Sequence, residues 1–200
     1  MLAALEHQLA VDDHVLDPLA VLEWLLIRRS IDHAVRRLHD SGSVTRAAGR
    51  FRVRHGNNWF TRTLARLARL PAPAEAVDVQ LVIAAAGGTE EWRRSFAGRP
   101  MISVQSARPD GRLAEHMGLL ELRFRLKVIS GALHYEPAGS ALCLGRLRLP
   151  LPLRLGPRVI ASEQSVPGSD QIEVAVEVGL PLFGLLISYG GRLAVCEAPG

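Results

Sequence analysis

The residues Trp92, Arg94 and Phe96 form the pattern in this chain that is best suited to binding a ligand. Because successive side chains of a strand point to opposite faces, the three share one face and place a guanidinium between two aromatic rings. On a face that lines a cavity, Arg94 would bind the anionic or carbonyl head group of an apolar ligand. The alternative is a structural arginine that packs on Trp92 and pairs with a carboxylate such as Glu163.

Tyr189 adds a phenol to this candidate site. It is followed by Gly190 and Gly191, which permit a close approach of backbone or a bulge. The phenol therefore lines a pocket or fills the core with a satisfied hydroxyl. The tentative ligand-binding set is Trp92, Arg94, Phe96, Glu163 and Tyr189.

Other chemistry finds little support in the sequence. The seven histidines lack the spacing of a metal site, and the two cysteines, Cys143 and Cys196, form neither a disulfide framework nor a zinc site. The nucleophile motif Gly-x-Ser-x-Gly does not occur. We therefore expect no metal, no cofactor and no catalytic residue, and a noncatalytic protein is favoured.

The charge of the chain is uneven. Residues 28–69 hold eleven arginines against Asp32 and Asp40, a net charge of +9, whereas the whole chain carries +4. Residues 43–70 superficially resemble a DNA-binding helix-turn-helix. Arg52 stands where its turn usually has glycine, and Asn58 stands where an apolar residue is expected. Of the 24 basic residues 23 are arginine, which indicates a GC-rich genome and weakens an inference from charge to nucleic acid.

The longest apolar stretches fall well short of the ~20 residues that a membrane helix needs. They are Pro18–Ile27 and Leu180–Ser188. Residues 1–13 lack the basic start, the long apolar stretch and the small-residue cleavage site of a secretory signal. The sequence therefore predicts a cytoplasmic protein without a membrane span.

Hydrophobic periodicity predicts an N-terminal helical segment over residues 1–40, a strand over Gly49–His55 and a helix over Trp59–Leu70 capped by Asn57 or Asn58. From Val77 onward the period changes to two, with turn residues every 8–12 positions. A meander of about eight strands is expected. The segments with strand character after Gly49–His55 are 77–83, 92–96, 101–107, 120–128, 133–136, 142–149, 159–166, 172–178 and 185–195.

This order predicts an α+β fold that is mainly antiparallel β: a curved meander, or half-barrel, packed on a helix. A twisted sheet curls, and the part of its concave face that the helix leaves uncovered would form a pocket. Two regions are expected, an N-terminal helical segment over residues 1–40 and a β-rich domain over residues 41–200.

Six short pieces of the chain resemble, in order, the pattern of a bacterial family known as domain of unknown function 4166. They are Leu38-His39-Asp40; the strand–helix–proline unit from Gly49 to Pro71; Trp92-x-Arg94-x-Phe96; Glu115-x-x-Gly118; Leu149–Pro152 with Gly156, Pro157 and Glu163; and Pro181–Gly184 through Gly191. The resemblance covers about residues 35–195.

The resemblance implies a bacterial cytosolic domain that sometimes occurs fused to nicotinamide-dependent oxidoreductase domains of saccharopine-dehydrogenase type. It implies no established activity and no catalytic residues. The leading hypothesis is a noncatalytic module that binds an apolar or amphipathic small molecule or docks on such an oxidoreductase. An enzyme using Arg94, Glu163 and Tyr189 on a lipid-like carbonyl compound is one alternative. DNA binding through residues 43–70 is the other, although nucleic acid is not the expected partner.

Overall fold

A computed structural model describes residues 25–27, 29–40, 44–152 and 154–196 of the chain. Of the helical segment predicted over residues 1–40, the first 24 residues lie outside the described ranges, and residues 25–27 and 29–30 are helical. Helix α1 spans His33–Asp40, and helix α2 spans Trp59–Leu67. Among the described residues, no helix is long and apolar enough to cross a membrane.

The rest of the described chain is mostly strand. Eleven strands occur in the described ranges, and every pairing between them is antiparallel: β1 Val44–His55, β2 Ala74–Ala86, β3 Thr89–Phe96, β4 Arg99–Ala107, β5 Leu113–Met117, β6 Leu120–Ile129, β7 Ala132–Leu144, β8 Leu147–Leu151, β9 Arg158–Ser165, β10 Gln171–Leu180 and β11 Gly184–Cys196. The expected mainly antiparallel β chain is therefore confirmed.

The half-barrel packed on a helix is wrong, because the sheet closes. Its order is β6-β5-β4-β3-β2-β1-β11-β10-β9-β7, and β7 also pairs with β6, so that among the described strands ten form a barrel and β8 extends β7. β7 is thirteen residues long, which lets it pair with β6 along most of its length and with β9 through Leu133–Tyr135. Closure leaves no open edge on the ten strands that form it.

The helices lie at the ends of the barrel instead of filling a concave face. α1 precedes β1 and contacts β9, β1 and β10, while α2 follows β1 and contacts β11 and β1. The backbone N–H of Asp32 donates to Gly131 O at 3.0 Å, which joins the start of α1 to the β6–β7 turn. We call the two ends of the barrel the α1 end and the α2 end.

Local chemistry explains the bounds of α2. Asn58, one of the two predicted caps, accepts the backbone N–H of Thr61 on its side chain at 2.8 Å, which confirms that prediction. The helix ends at Leu67, not at Leu70, because Arg69 takes a left-handed conformation with φ 53°. There the Arg69 N–H donates to Arg66 O and the Leu70 N–H donates to Ala65 O, a Schellman ending in which glycine is the usual residue.

Some strand predictions were wrong in detail. Leu113–Met117 forms β5, although no strand was predicted there. The single strand predicted over 142–149 is a hairpin between β7 and β8, because Gly145 turns the chain with φ 60°. The strand predicted from Gly49 begins five residues earlier, at Val44.

Close crossing of backbones at Gly191 yields a prediction about stability. A Cβ at Gly191 would lie 2.8 Å from Phe51 Cα and even closer to Arg50 O, whereas one at Gly179 would have its nearest neighbour, Gly184 O, at 3.8 Å. We expect Gly191→Ala to lower the free energy of unfolding by at least about 1–3 kcal/mol, the usual cost of overpacking. Gly179→Ala is the control and should change it far less. Equal urea midpoints for the two variants would contradict this account of the β1–β11 contact.

Candidate functional site

Three of the predicted site residues lie on the face of β3 that points into the barrel. From the α1 end toward the α2 end this face presents Glu90, Trp92, Arg94 and Phe96, and the two aromatic residues are 4% and 2% exposed. The alternation that predicted a shared face is therefore correct. That face points to the interior of the closed barrel.

Arg94 is bound by the next two strands along the chain. Its Nη1 donates to Ser103 Oγ at 2.8 Å and its Nη2 donates to Glu115 Oε1 at 3.3 Å, while the guanidinium carbon lies 4.9 Å from the Trp92 ring centroid. Ser103 also donates to Glu115 Oε1 at 2.5 Å. Burial acts to lower the pKa of Arg94, but the charge of Glu115 raises it overall, so the guanidinium stays charged.

Glu163 has partners other than Arg94. His39 of α1 places Nε2 2.6 Å from Glu163 Oε2, and the Tyr135 hydroxyl donates to Oε1 at 3.1 Å. Because a carboxylate only accepts, His39 donates through Nε2. Burial and the neighbouring Glu163 raise the pKa of Tyr135 well above its ordinary value, which keeps the phenol protonated as a donor. The His39 ring also lies 5.6 Å from that of Trp92, which links the two carboxylate groups into one interior network.

Tyr189 lies beside this network, toward the α2 end. Its ring stacks on Phe51 at 6.3 Å and meets Phe96 edge to face at 5.4 Å. Burial raises its pKa, although the charge of Arg94 acts to lower it. The structure thus brings all five predicted residues into one interior, where Arg94 contacts Trp92 and Tyr189 contacts Phe96. Ligand binding by them stays a prediction.

Sequence reasoning missed four members of the interior network: His39, Ser103, Glu115 and Tyr135. His39 and Glu115 were present in the motifs that carry the family resemblance, yet neither was assigned to the site. Leu113–Met117 was not predicted as a strand, so nothing indicated that the Glu115 carboxylate points into the interior. Tyr135 reaches Glu163 only through the pairing of β7 with β9, which no local pattern indicates.

A second charged cluster lies on the outer face, across β5 to β8. His116, Glu121 and Cys143 bring one ligand atom each within 4.8 Å of the others, a spacing that a metal ion would accept. However, Glu121 is buried and already accepts hydrogen bonds from Arg123 and Arg148. Two guanidiniums on the one carboxylate oppose a further cation, so the arrangement is an ion-pair cluster centred on Glu121.

An open groove of about 1610 Å³ lies at the α2 end. It lies where β1 ends and where β2, β4 and β11 begin, with α2 along one side. Of the described residues, five arginines line it, and we call it the arginine groove: Arg54, Arg62, Arg66, Arg69 and Arg99. All five are exposed, and within the described ranges none has an ion pair or side-chain hydrogen bond.

Comparison with known families identifies the domain. The family model described as Domain of unknown function (DUF4166) matches residues 31–193. The chain belongs to this family. A search of curated proteins finds no match.

The structure shows where the six sequence pieces that resemble the DUF4166 family lie in the fold. All six pieces contribute a side chain to the interior: His39, Phe51, Arg94, Glu115, Glu163 and Tyr189. They come from α1, β1, β3, β5, β9 and β11, so they meet only when the barrel closes. The pieces therefore describe one interior, to which separate parts of the DUF4166 chain contribute.

The interior network predicts strong coupling between Tyr135 and Glu163. In Glu163→Gln the amide has one acceptor oxygen in place of two and no charge, so it cannot accept from both His39 and Tyr135, and we expect a loss of about 1–3 kcal/mol in the free energy of unfolding. Tyr135→Phe should cost less in the Glu163→Gln background than in the wild type, by at least ~0.5 kcal/mol. Glu136→Gln, in an exposed pair with Lys127, is the control and should change stability by less than about 0.5 kcal/mol. Additive losses for Tyr135→Phe and Glu163→Gln would show that the bond contributes nothing.

The outer cluster predicts a pH-dependent stability. Burial acts to raise the pKa of Glu121, but the hydrogen bond and charge of Arg148 lower it overall. A carboxyl with a depressed pKa stabilises the fold above its unfolded pKa of about 4.3 and loses that contribution as the pH falls through the folded pKa. We expect Glu121→Gln to lower the free energy of unfolding at pH 7 by roughly 1–3 kcal/mol and to converge on the wild type below pH ~4. Parallel stability curves over this range would contradict the assignment.

Proposed function

We propose that this DUF4166 domain is a noncatalytic module that binds an anionic, amphipathic small molecule in the arginine groove. The observation that carries the proposal is that five exposed arginines, none with a partner among the described residues, line one open cavity. The small-molecule part of the hypothesis from the sequence is retained, and the site moves from the face of Trp92 and Arg94 to the α2 end of the barrel.

The charges of the arginine groove favour an anion. Its one acidic lining residue among those described is Glu75, which is already paired with Arg52 outside the groove. His55 also lines the groove, and its Nε2 donates to Pro71 O at 2.7 Å. Guanidiniums bind carboxylates and phosphates through paired hydrogen bonds, so a ligand with such a head group would satisfy several of these donors at once.

The remaining lining favours an amphiphile over an inorganic anion. Between the arginines the groove presents apolar surface from Leu70, Ala72, Pro73, Pro100 and Leu185. Its volume exceeds the ~300–1000 Å³ of ordinary small-molecule pockets, which suits a ligand with an extended apolar part. An inorganic anion would leave this surface in contact with water.

The conformation of Arg69 supports a role in binding. Its φ of 53° lies in the left-handed region, which costs roughly 1–2 kcal/mol for a residue with a Cβ. Glycine would end α2 without that cost. A strained residue at a cavity is a reason to infer a function for its side chain.

The other hypotheses have weaker support. Docking on a nicotinamide-dependent oxidoreductase and catalysis through Arg94, Glu163 and Tyr189 stay predictions, as does the cytoplasmic location. For DNA binding, the first helix of a helix-turn-helix would have to lie where β1 runs from Val44 to His55. Nucleic acid contact through α2 alone is therefore treated as an outcome of the binding test.

The test is calorimetric titration of the full chain with dodecyl phosphate below its critical micelle concentration. We expect Arg66→Gln and Arg99→Gln each to weaken binding about tenfold, since a charge-assisted hydrogen bond contributes roughly 1.5–3 kcal/mol. Arg46→Gln and Arg125→Gln remove the same charge from exposed positions outside the groove and should change affinity little. Arg69→Gly should weaken binding while raising the unfolding midpoint.

Several results would overturn the proposal. One is an equal affinity for dodecyl phosphate and inorganic phosphate, which would leave the apolar lining without a role. Another is an equal affinity for a neutral dodecyl glycoside, which would leave the arginines without one. Tighter binding of double-stranded DNA, with a steep dependence on salt, would assign the groove to nucleic acid.

A further inference from the structure

Exposed apolar side chains lie beside the arginine groove at the same end of the barrel. On α2, Trp59 is 77% exposed and Leu67 is 76% exposed, and in the β10–β11 turn Leu182 and Phe183 are 69% and 43% exposed. We call these four residues the apolar platform. Single exposed apolar residues are ordinary, but a contiguous group of large ones marks an interaction surface.

The two segments of the apolar platform are joined to each other. Asn58 Nδ2 donates to Phe183 O at 2.7 Å, and the ring of Phe60 stacks on that of Phe183 at 4.1 Å. Trp59 in turn meets Phe60 edge to face at 6.0 Å. The turn is thus held against the first turn of α2, so Trp59 and Phe183 belong to one surface, and Leu67 lies at the other end of the same helix.

Helix α2 exposes both apolar and basic side chains to solvent. Trp59 and Leu67 lie eight residues apart on its outer face, while Arg62 and Arg66 lie on the adjacent flank and line the groove. Thr61 and Ala65 form the buried side. A helix with a tryptophan and a leucine outside and arginines beside them has the character of a segment that lies in a membrane interface.

We propose that the α2 end docks on the surface of an anionic lipid bilayer, with the apolar platform inserted at the interface and the arginine groove facing the head groups. This deepens the proposed function, on which it rests, by naming an anionic bilayer as the source of the amphiphile. The positive charge decides between occupants. A second copy of the chain docked face to face would bring the unpaired arginines of both copies together, whereas anionic lipids neutralise them.

The test is flotation of the full chain with vesicles of phosphatidylcholine, with and without phosphatidylglycerol. We expect the wild type to bind the anionic vesicles at least tenfold more tightly than the neutral ones, because several arginines contribute at the surface. Trp59→Ser and Leu182→Ser should each weaken vesicle binding several-fold, and more than tenfold when combined. Their unfolding midpoints should match the wild type, since both side chains are exposed. The loss of a blue shift in fluorescence in Trp59→Phe would report insertion of that side chain directly.

The two proposals fail in different ways. Trp59→Ser with Leu182→Ser should leave dodecyl phosphate affinity unchanged, while Arg66→Gln with Arg99→Gln should lower both affinities. Vesicle binding that is unchanged in Trp59→Ser and Leu182→Ser, or that is equally tight on neutral lipid, would overturn the bilayer proposal. Neither result would affect the proposed ligand site in the arginine groove. A dimer in sedimentation equilibrium that Trp59→Ser dissociates would assign the platform to a second copy. If dodecyl phosphate does not bind but the vesicles do, the groove proposal fails and the docking surface stands.

Discussion

The pairing of β7 with both β6 and β9 is the constraint on which the rest of the structure depends. Without it the sheet would have two open edges, whose unpaired N–H and C=O groups template aggregation. With it, ten strands enclose one interior, in which buried polar side chains bond mainly to each other. The register also leaves β8 outside the ring, where Arg148 covers Glu121 on the outer face. Because β7 pairs with β6, β8 and β9, it brings Tyr135 to Glu163 in the interior and Arg148 to Glu121 on the outer face.

Closure explains why the interior contains charges that hydrophobic patterning alone would not place there. A buried guanidinium or carboxylate is strongly unfavourable unless it is paired and hydrogen-bonded. Arg94 meets Glu115 and Ser103, and Glu163 meets His39 and Tyr135. His39 comes from α1, so this helix is part of the interior even though it lies at an end of the barrel. These hydrogen bonds join β3 to β4 and β5, and they join β9 to β7 and α1.

Local patterns predicted much of the fold, and long-range pairing decided the rest. The alternation in β6 and in Trp92–Phe96 assigned strands and faces correctly, because a period of two is a property of neighbouring residues. Closure could not be read in the same way, since the hydrogen-bonding edge of a strand carries no residue-type signal for its partner. Glu163 was named as an example of a carboxylate that could pair with Arg94, but the partner is Glu115, which lies in a segment where no strand was predicted. The five predicted residues therefore lie in one interior, but the pairs among them were not predicted.

The buried Arg94 and the exposed arginines of the groove have different structural explanations. Arg94 is buried, and the fold accounts for it through its partners. The arginines of the groove are exposed, so folding neither requires nor explains their convergence on one cavity. A GC-rich genome would account for arginine in place of lysine, but it would not account for position. Arg69 is the clearest case, because glycine would end α2 without strain. A charge held at a strained position beside a groove of like charges lowers stability twice, and the proposed anionic ligand or bilayer would offset both costs.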